Sequence, residues 1–262
     1  MIRNILGRIF AFWAILVFVV SMLIVFLPMW SIGLWKEPGR SYLMHAIFHR
    51  WMVVFFFLTG IRLRIKGKEN FKPGENYIVV FNHNSMMDVP VSVPFMPGAN
   101  KTIAKIEMSR TPIFGMFYKR GSVLVDRKNE ESRKRSYVKM KEVLEMGLHM
   151  CIYPEGTRNK TGEPLQRFHD GAFSLSIDSG KSILPALIFN TAKALPRKTF
   201  FFWPAKIELH YLPAISPRSF SSVEKLKEHV FNLMKEHFVF KSQKTNSKSQ
   251  ISTREKIKIV GE

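Results

Sequence analysis

Cysteine is nearly absent from this chain of 262 residues. Cys151 stands alone, which excludes an intrachain disulfide. It lies in the apolar run Met150-Cys151-Ile152-Tyr153, the setting of a buried, inert thiol. Acid is also scarce: 20 Asp and Glu stand against 40 Lys and Arg, a formal net charge of +20. An excess of that sign implies an acidic partner, whether nucleic acid, anionic lipid or a polyanionic substrate. No Gly-x-x-x-x-Gly-Lys run is present, so a P-loop is excluded, and no Gly-x-Ser-x-Gly elbow supports a serine hydrolase built on Ser85 and His83. His45 and His49 share a helix spacing, but no glutamate follows His45 and no carboxylate lies between them, so no metal site is expected. The chain has no internal repeat.

What is abundant is apolar length near the start. From Ile9 to Trp35 no residue is charged, a run long enough to cross a bilayer. Arg3 and Arg8 precede it, Lys36 and Arg40 follow, and Trp13, Trp30 and Trp35 sit near its ends. The run is longer than a signal-peptide core and no small-residue cleavage site follows, so an uncleaved membrane helix is expected. Basic residues at both ends leave its orientation open. A second segment, Tyr42 to Ile61, has the shorter core Trp51–Leu58. It reads as an interfacial or re-entrant helix, with a core helix of the following domain as the alternative. This N-terminal membrane segment, residues 1–61, makes lipid the expected acidic partner rather than nucleic acid.

After Gly60 the pattern becomes that of an α/β domain over residues 62–240. Strands are expected at Arg62–Ile65, Tyr77–Phe81, Thr102–Ile106, Ser122–Val125, Met150–Tyr153, Ile183–Phe189 and Ala205–Leu212. Helical periodicity fills several gaps, as from Glu131 to Leu148, and another helix starts at the capping box Ser221-Ser222-Val223-Glu224. The alternation predicts a mixed, mostly parallel sheet flanked by helices. Residues 241–262 are lysine-rich with little to bury and are expected to form a basic disordered tail near anionic lipid.

Four stretches carry candidate chemistry. Asn82-His83 through Asp88 follows the apolar strand Tyr77–Phe81, at the edge where open α/β sheets place their sites. An imidazole beside a carboxylate is the minimal general-base pair. Lys105, with Pro112, Phe114 and Gly115 beyond it, leads to Asp126-Arg127. Glu155-Gly156-Thr157-Arg158 also ends a strand. Its glycine permits a close backbone turn, its threonine offers a hydroxyl and an amide, and its arginine offers a planar fork for phosphate oxygens. Glu155 is expected to orient Arg158 or to accept from a substrate hydroxyl. Pro185 sits in the last stretch, Ile183-Leu184-Pro185-Ala186. Lys105 and Arg127, at two further strand ends, would add cations to the same rim.

Together, in this order, the four stretches resemble the glycerolipid acyltransferase family over about Lys66 to Pro217. The resemblance implies that His83 is the base and Asp88 its orienter. It implies that Glu155, Gly156, Thr157 and Arg158 bind the acceptor, with Arg158 as phosphate ligand and Lys105 or Arg127 assisting. Pro112, Phe114, Gly115 and Pro185 are expected to line the acyl chain or to serve packing. Where the family often has Phe-Lys-x-Gly, this chain has Phe168-His169-Asp170-Gly171. The family's donors are acyl-CoA or acyl-acyl-carrier-protein, with no cofactor and no metal, and it works at the cytoplasmic membrane face. The implied reaction acylates 1-acyl-glycerol-3-phosphate to phosphatidic acid. Another lysolipid or glycerol phosphate as acceptor is the alternative within the class. A membrane-tethered lipid- or carrier-binding module, resting on the basic stretch Arg133 to Lys141, is the alternative outside it.

Overall fold

Short apolar runs with alternating destinations set the architecture. In Ile78-Val79-Val80-Phe81 every side chain is fully buried. Ile78 and Val80 join one apolar cluster, whereas Val79 and Phe81 join another on the opposite face. A strand buried on both faces needs helices on both sides. The computed structural model, which describes residues 2–197 and 199–260 with side chains through Lys244, shows that three-layer arrangement.

Seven strands form one sheet: β1 (Arg62–Lys66), β2 (Ile78–Phe81), β3 (Asn100–Lys105), β4 (Ser122–Val125), β5 (His149–Ile152), β6 (Ile183–Phe189) and β7 (Lys206–Tyr211). Each expected strand is present, with ends moved by no more than a residue or two. The order is β1-β7-β6-β2-β5-β3-β4. Neighbours are parallel except β6 and β7, so β1 and β7 run against the other five. The C-terminal ends of β2, β5, β3 and β4 therefore share one rim. Register places Val79 beside Cys151 on one side and Leu184 on the other. Cys151 is fully buried, and burial pushes its thiol up to about 12.

The helices are α1 (Ile2–Ser31), α2 (Gly39–Leu58), α3 (Asp88–Ser92), α4 (Phe114–Gly121), α5 (Glu130–Glu145), α6 (Gly171–Ser179), α7 (Thr191–Ala194) and α8 (Val223–Val260). One layer holds α5, α6 and the first turns of α8, with Met140, Leu144, Phe173, Leu226 and Val230 in its core. The Asn129 side chain caps α5 by accepting from Ser132 N at 2.9 Å. At α8 the capping hydroxyl is that of Ser222, which accepts from Lys225 N at 3.2 Å, one residue beyond the expected Ser221. α8 runs on past Phe240, where a disordered tail is expected: Lys241 Nζ lies 2.8 Å from Glu208. From residue 245 the expected tail's side chains lie outside the described residues.

The other layer contains α1 and α2. On α2, Trp51, Met52, Phe55 and Phe56 are buried in the same cluster as Val79 and Phe81. Its opposite side exposes Val53, Val54 and Phe57. Thus α2 is a core helix on one side and an apolar surface on the other. α1 turns Gly7, Ala11, Ala14 and Val17 inward, a stripe of small residues at helical spacing that permits close approach. Its beginning is clasped by an aromatic loop. Phe202 N donates to Gly7 O at 3.0 Å, and Phe10 packs edge-on to Trp203 at 5.6 Å. Its end is held by Arg120, which donates to the carbonyls of Met29 and Trp30. The outward side exposes Phe12, Leu16, Val20, Leu23, Ile24 and Leu27 among many others. Both helices are long and apolar enough to cross a membrane. An apolar face of this extent marks a membrane-associated protein.

Candidate active site

The site begins where β2 ends. Asn82 is buried, and its side chain pairs with the backbone of Ile188, donating to its carbonyl at 3.0 Å and accepting from its amide at 2.7 Å. That pairing pins the strand end to β6 just before the chain turns. His83 follows with its backbone held at both groups. Its N–H donates to Glu155 Oε1 at 2.8 Å, and its carbonyl accepts from Asn159 N at 2.7 Å.

The His83 ring is fixed as closely as its backbone. Asp88 Oδ2 lies 2.8 Å from His83 Nδ1 and also accepts from the amides of Asn84 and Ser85 at 2.6 and 2.7 Å. Its other oxygen accepts from Thr191 Oγ1 at 2.5 Å. Asp88 is fully buried. A carboxylate facing Nδ1 puts the ring proton there and leaves Nε2 with its lone pair. The Tyr153 ring lies against the imidazole, centroids 4.5 Å apart, with its own hydroxyl bonded to Ser92 Oγ at 2.6 Å. The Nε2 edge has no hydrogen-bond partner among the described residues. One side of a positioned imidazole is thus available to take a proton.

Beside it, β5 delivers Glu155-Gly156-Thr157-Arg158. Glu155 is buried, and both its oxygens are engaged, one by His83 N and the other by Gln166 N at 3.0 Å. Burial raises its carboxyl to about 7, helped by the nearby Asp88 charge and opposed by those two N–H groups. Glu155 therefore braces two loops, with no hydrogen bond to Arg158 among the described residues. Gly156 has φ +69, and a Cβ there would come within 2.9 Å of the His169 ring, so the turn needs glycine. Arg127 donates to the Gly156 carbonyl from the end of β4. Arg158 reaches a cleft beyond the turn. Thr157 is exposed, with Gln166 Nε2 at 3.5 Å from its hydroxyl. Lys105 is exposed at the end of β3, on the same rim between the ends of β5 and β4.

The remaining expected residues fall elsewhere. Phe114 packs against Phe18 of α1 and Phe117, centroids 5.8 and 5.6 Å away. A Cβ on Gly115 would sit 2.3 Å from Ser109 O, so this glycine serves a tight backbone crossing after Pro112. Pro185 lies inside β6 opposite Val80, where its carbonyl accepts from Leu212 N at 2.8 Å. Gly115 and Pro185 shape backbone, and Phe114 joins the domain to α1. His169 lies over the Gly156 turn, and Asp170 is paired to Lys227 at 2.7 Å.

Sequence reasoning passed over the segment after β6. Thr191 secures Asp88, Leu195 O accepts from Ser85 Oγ at 2.7 Å, and Arg197 donates to the carbonyls of Arg158 and Asn159 at 3.2 and 2.7 Å. Its residues lie more than a hundred positions from His83, and no local periodicity announces them. The one available signal is the arginine that follows Leu195-Pro196 just past a strand on the same rim.

Comparison with known proteins agrees with this geometry. The family model described as Acyltransferase matches residues 62–189. The 1-acyl-sn-glycerol-3-phosphate acyltransferase of Helicobacter pylori is 30% identical over 184 residues, covering 70% of this chain and 76% of the relative. The protein of the same name from Borreliella burgdorferi is 27% identical over 193 residues, covering 72% and 74%. The crystal structure of the Thermotoga maritima 1-acyl-sn-glycerophosphate acyltransferase superposes with a TM-score of 0.74 at 23% identity, over 92% of this chain and 97% of that one, and shares the fold. With His83, Asp88 and the Glu155–Arg158 turn inside the matched region, the chain belongs to the 1-acyl-sn-glycerol-3-phosphate acyltransferase family.

Proposed function

We propose that this acyltransferase moves a fatty acyl group from a thioester donor to the sn-2 hydroxyl of 1-acyl-glycerol-3-phosphate, giving phosphatidic acid. The observation that carries the reading is the His83–Asp88 pair, held at 2.8 Å with Nε2 unpartnered among the described residues, next to an arginine-bearing turn braced on the same histidine's backbone. His83 Nε2 takes the proton of the acceptor hydroxyl as its oxygen attacks the thioester carbonyl. The new C–O bond forms, the oxyanion collapses and the C–S bond breaks. The leaving thiolate takes the proton from His83, so no covalent acyl-enzyme is needed. Asp88 stabilises the imidazolium in between.

The amides after His83 are the expected oxyanion donors, but most are engaged. Those of Asn84 and Ser85 serve Asp88, and that of Met87 serves Ser85 Oγ at 3.2 Å. Met86 N–H is the amide of this loop that remains for the oxyanion. Arg158 holds the acceptor phosphate, with Lys105 as a second rim cation, and this remote group orients the hydroxyl. The donor is acyl-CoA or acyl-acyl-carrier-protein, and no cofactor or metal enters the chemistry.

The α1/α2 pair positions this chemistry at a lipid surface. Gly7 and Met29, both tied to the catalytic domain, are separated by roughly 33 Å at 1.5 Å per residue. A helix fastened at both ends to one domain lies along that domain. We infer that it enters one leaflet with its apolar side down, the domain facing the cytoplasm and basic residues meeting anionic headgroups. The test is acyl transfer by purified protein in lipid vesicles, using a panel of lysolipid acceptors and both thioester donors, with products identified by mass spectrometry. Phosphatidic acid from wild type, and at least a thousandfold less from His83→Ala, is the expected outcome. Equal activity of the two proteins would remove His83 as the base.

A further inference from the structure

A cleft of about 340 Å³ opens beside the His83 loop. Its walls include Met86, Arg158, Leu195, Arg197, Thr199 and Phe200. Met86 stands at the tip of the loop that carries His83 and Asp88 and is 65% exposed. At the far side Phe200 meets Phe12 of α1 edge-on, centroids 4.7 Å apart, and both rings are exposed. The cleft therefore connects the catalytic loop to the outward apolar face of α1. Among the described residues its wall carries two guanidinium groups, from Arg158 and Arg197, and no carboxylate.

Arg197 lies outside the region matched by the family model, which ends at Phe189. Its Nη1 is fixed by the carbonyls of Arg158 and Asn159. Its Nη2 and Nε have no partner among the described residues, so a preoriented fork remains for an anion. Asn159 N in turn donates to His83 O. A ligand gripped by Arg197 is thus two hydrogen bonds from the backbone of the base.

We propose that Arg197 is a second ligand, beside Arg158, for the phosphate of the acceptor in this cleft, and a specificity determinant. The ligand class is a single-chain lipid ending in a phosphate monoester. Two cations suit the dianionic headgroup. Met86, Leu195 and Phe200 suit the first carbons of a chain that continues over the Phe12–Phe200 edge into lipid. The volume accommodates a headgroup and a short stretch of chain, not a whole lipid, in keeping with an open end toward the membrane. The inference rests on the acyl-transfer reading for its substrate but not for its binding residues.

The experiment separates the two. In mixed micelles, Arg197→Ala raises KM for lysophosphatidate by about ten- to a hundredfold, the effect of losing a charge-assisted hydrogen bond, and leaves KM for the thioester donor within twofold. Arg197→Lys, which keeps the charge, recovers part of the loss. Arg197 also ties the Arg158 turn, so a second pair of variants avoids that contact. At the exposed wall position, Thr199→Glu raises the acceptor KM well above Thr199→Gln, because only the former sets an anion beside the arginines. Direct binding of lysophosphatidate to the His83→Ala protein, with and without Arg197→Ala, repeats the comparison without turnover. Binding to His83→Ala that needs Arg197 upholds the cleft whether or not the wild type turns over, and a wild type without turnover sinks only the reaction. Acceptor KM and binding that change less than threefold, or donor and acceptor KM rising together, overturn the cleft assignment.

Discussion

Replacing Asp88 by asparagine tests what the carboxylate supplies. In many base pairs of this kind an amide can turn its NH₂ toward the imidazole and force the wrong tautomer. Here it cannot do so cheaply, because Oδ2 accepts from three donors at once: His83 Nδ1, Asn84 N and Ser85 N. An NH₂ in that position would face two backbone N–H groups, each left unsatisfied at about 1–3 kcal/mol. On the other side a hydroxyl waits, and Thr191 Oγ1 can turn from donor to acceptor for the amide NH₂. The asparagine oxygen therefore stays on His83, and Nε2 remains the basic nitrogen. What is lost is the negative charge that stabilises the imidazolium. A hydrogen bond to a charged group contributes about 1.5–3 kcal/mol, which predicts a fall in kcat of roughly ten- to a hundredfold. Asp88→Ala removes the acceptor altogether and strands all four donors, so it lowers thermal stability as well as activity. The assay is kcat and KM for both substrates, with melting temperatures for each variant. A loss in Asp88→Asn as large as that in His83→Ala would show that the tautomer is not protected. A loss under threefold would show that the charge has no part in the step.

Three further outcomes are expected of the same site and of the α1 surface. Glu155 titrates near 7 when folded against an ordinary value of 4.5. The folded protein then keeps a proton that the unfolded chain releases, so stability falls as pH rises from about 4.5 to about 7, by up to roughly 3 kcal/mol, and levels off above. Melting curves of Glu155→Gln should lose most of this slope while starting from a lower plateau, because one of the two N–H acceptors is gone; an unchanged slope would assign the titration elsewhere. Gly156→Ala, at φ +69 and 2.9 Å from His169, is expected to lower stability by about 1 kcal/mol or more and raise the acceptor KM, read from melting and kinetics. Charging the outward side of α1 with Ile24→Asp and Leu27→Asp, at positions 70% and 69% exposed, should release the protein from vesicles in flotation while its melting temperature stays put.

Much of this was legible in the chain because local rules and global packing agree. The run Ile78–Phe81 is apolar at every position, as a strand covered on both faces must be, and each expected strand formed. His83 and Asp88 were legible because five residues of turn suffice to bring them together. The bracing contacts of Glu155 were not legible for a physical reason. Nothing local distinguishes a carboxylate that meets ligand from one that accepts two backbone amides, since His83 and Gln166 reach it from loops far apart in sequence. Arg197 and Thr191 escaped notice because their partners lie across the sheet.

The N-terminal helices show a different limit of reading by segment. A division at residue 61 treats the first helices as an appendage, yet Trp51, Phe55 and Phe56 share a cluster with Val79 and Phe81, the strand that presents His83. Trp51 also donates to Ser21 Oγ of α1 at 2.9 Å, and Phe18 stacks on its ring at 5.3 Å. The membrane surface and the catalytic rim are therefore two sides of one packed layer. Hydropathy reports how apolar a segment is, not which side of it meets lipid and which meets protein, so α2 reads as ambiguous from composition alone. Its position follows only when the sheet it covers is known. A lipid drawn from the apolar face then needs no swinging linker to reach His83: the distance is set by the thickness of α1 and the clasp of Phe200–Trp203 that holds it.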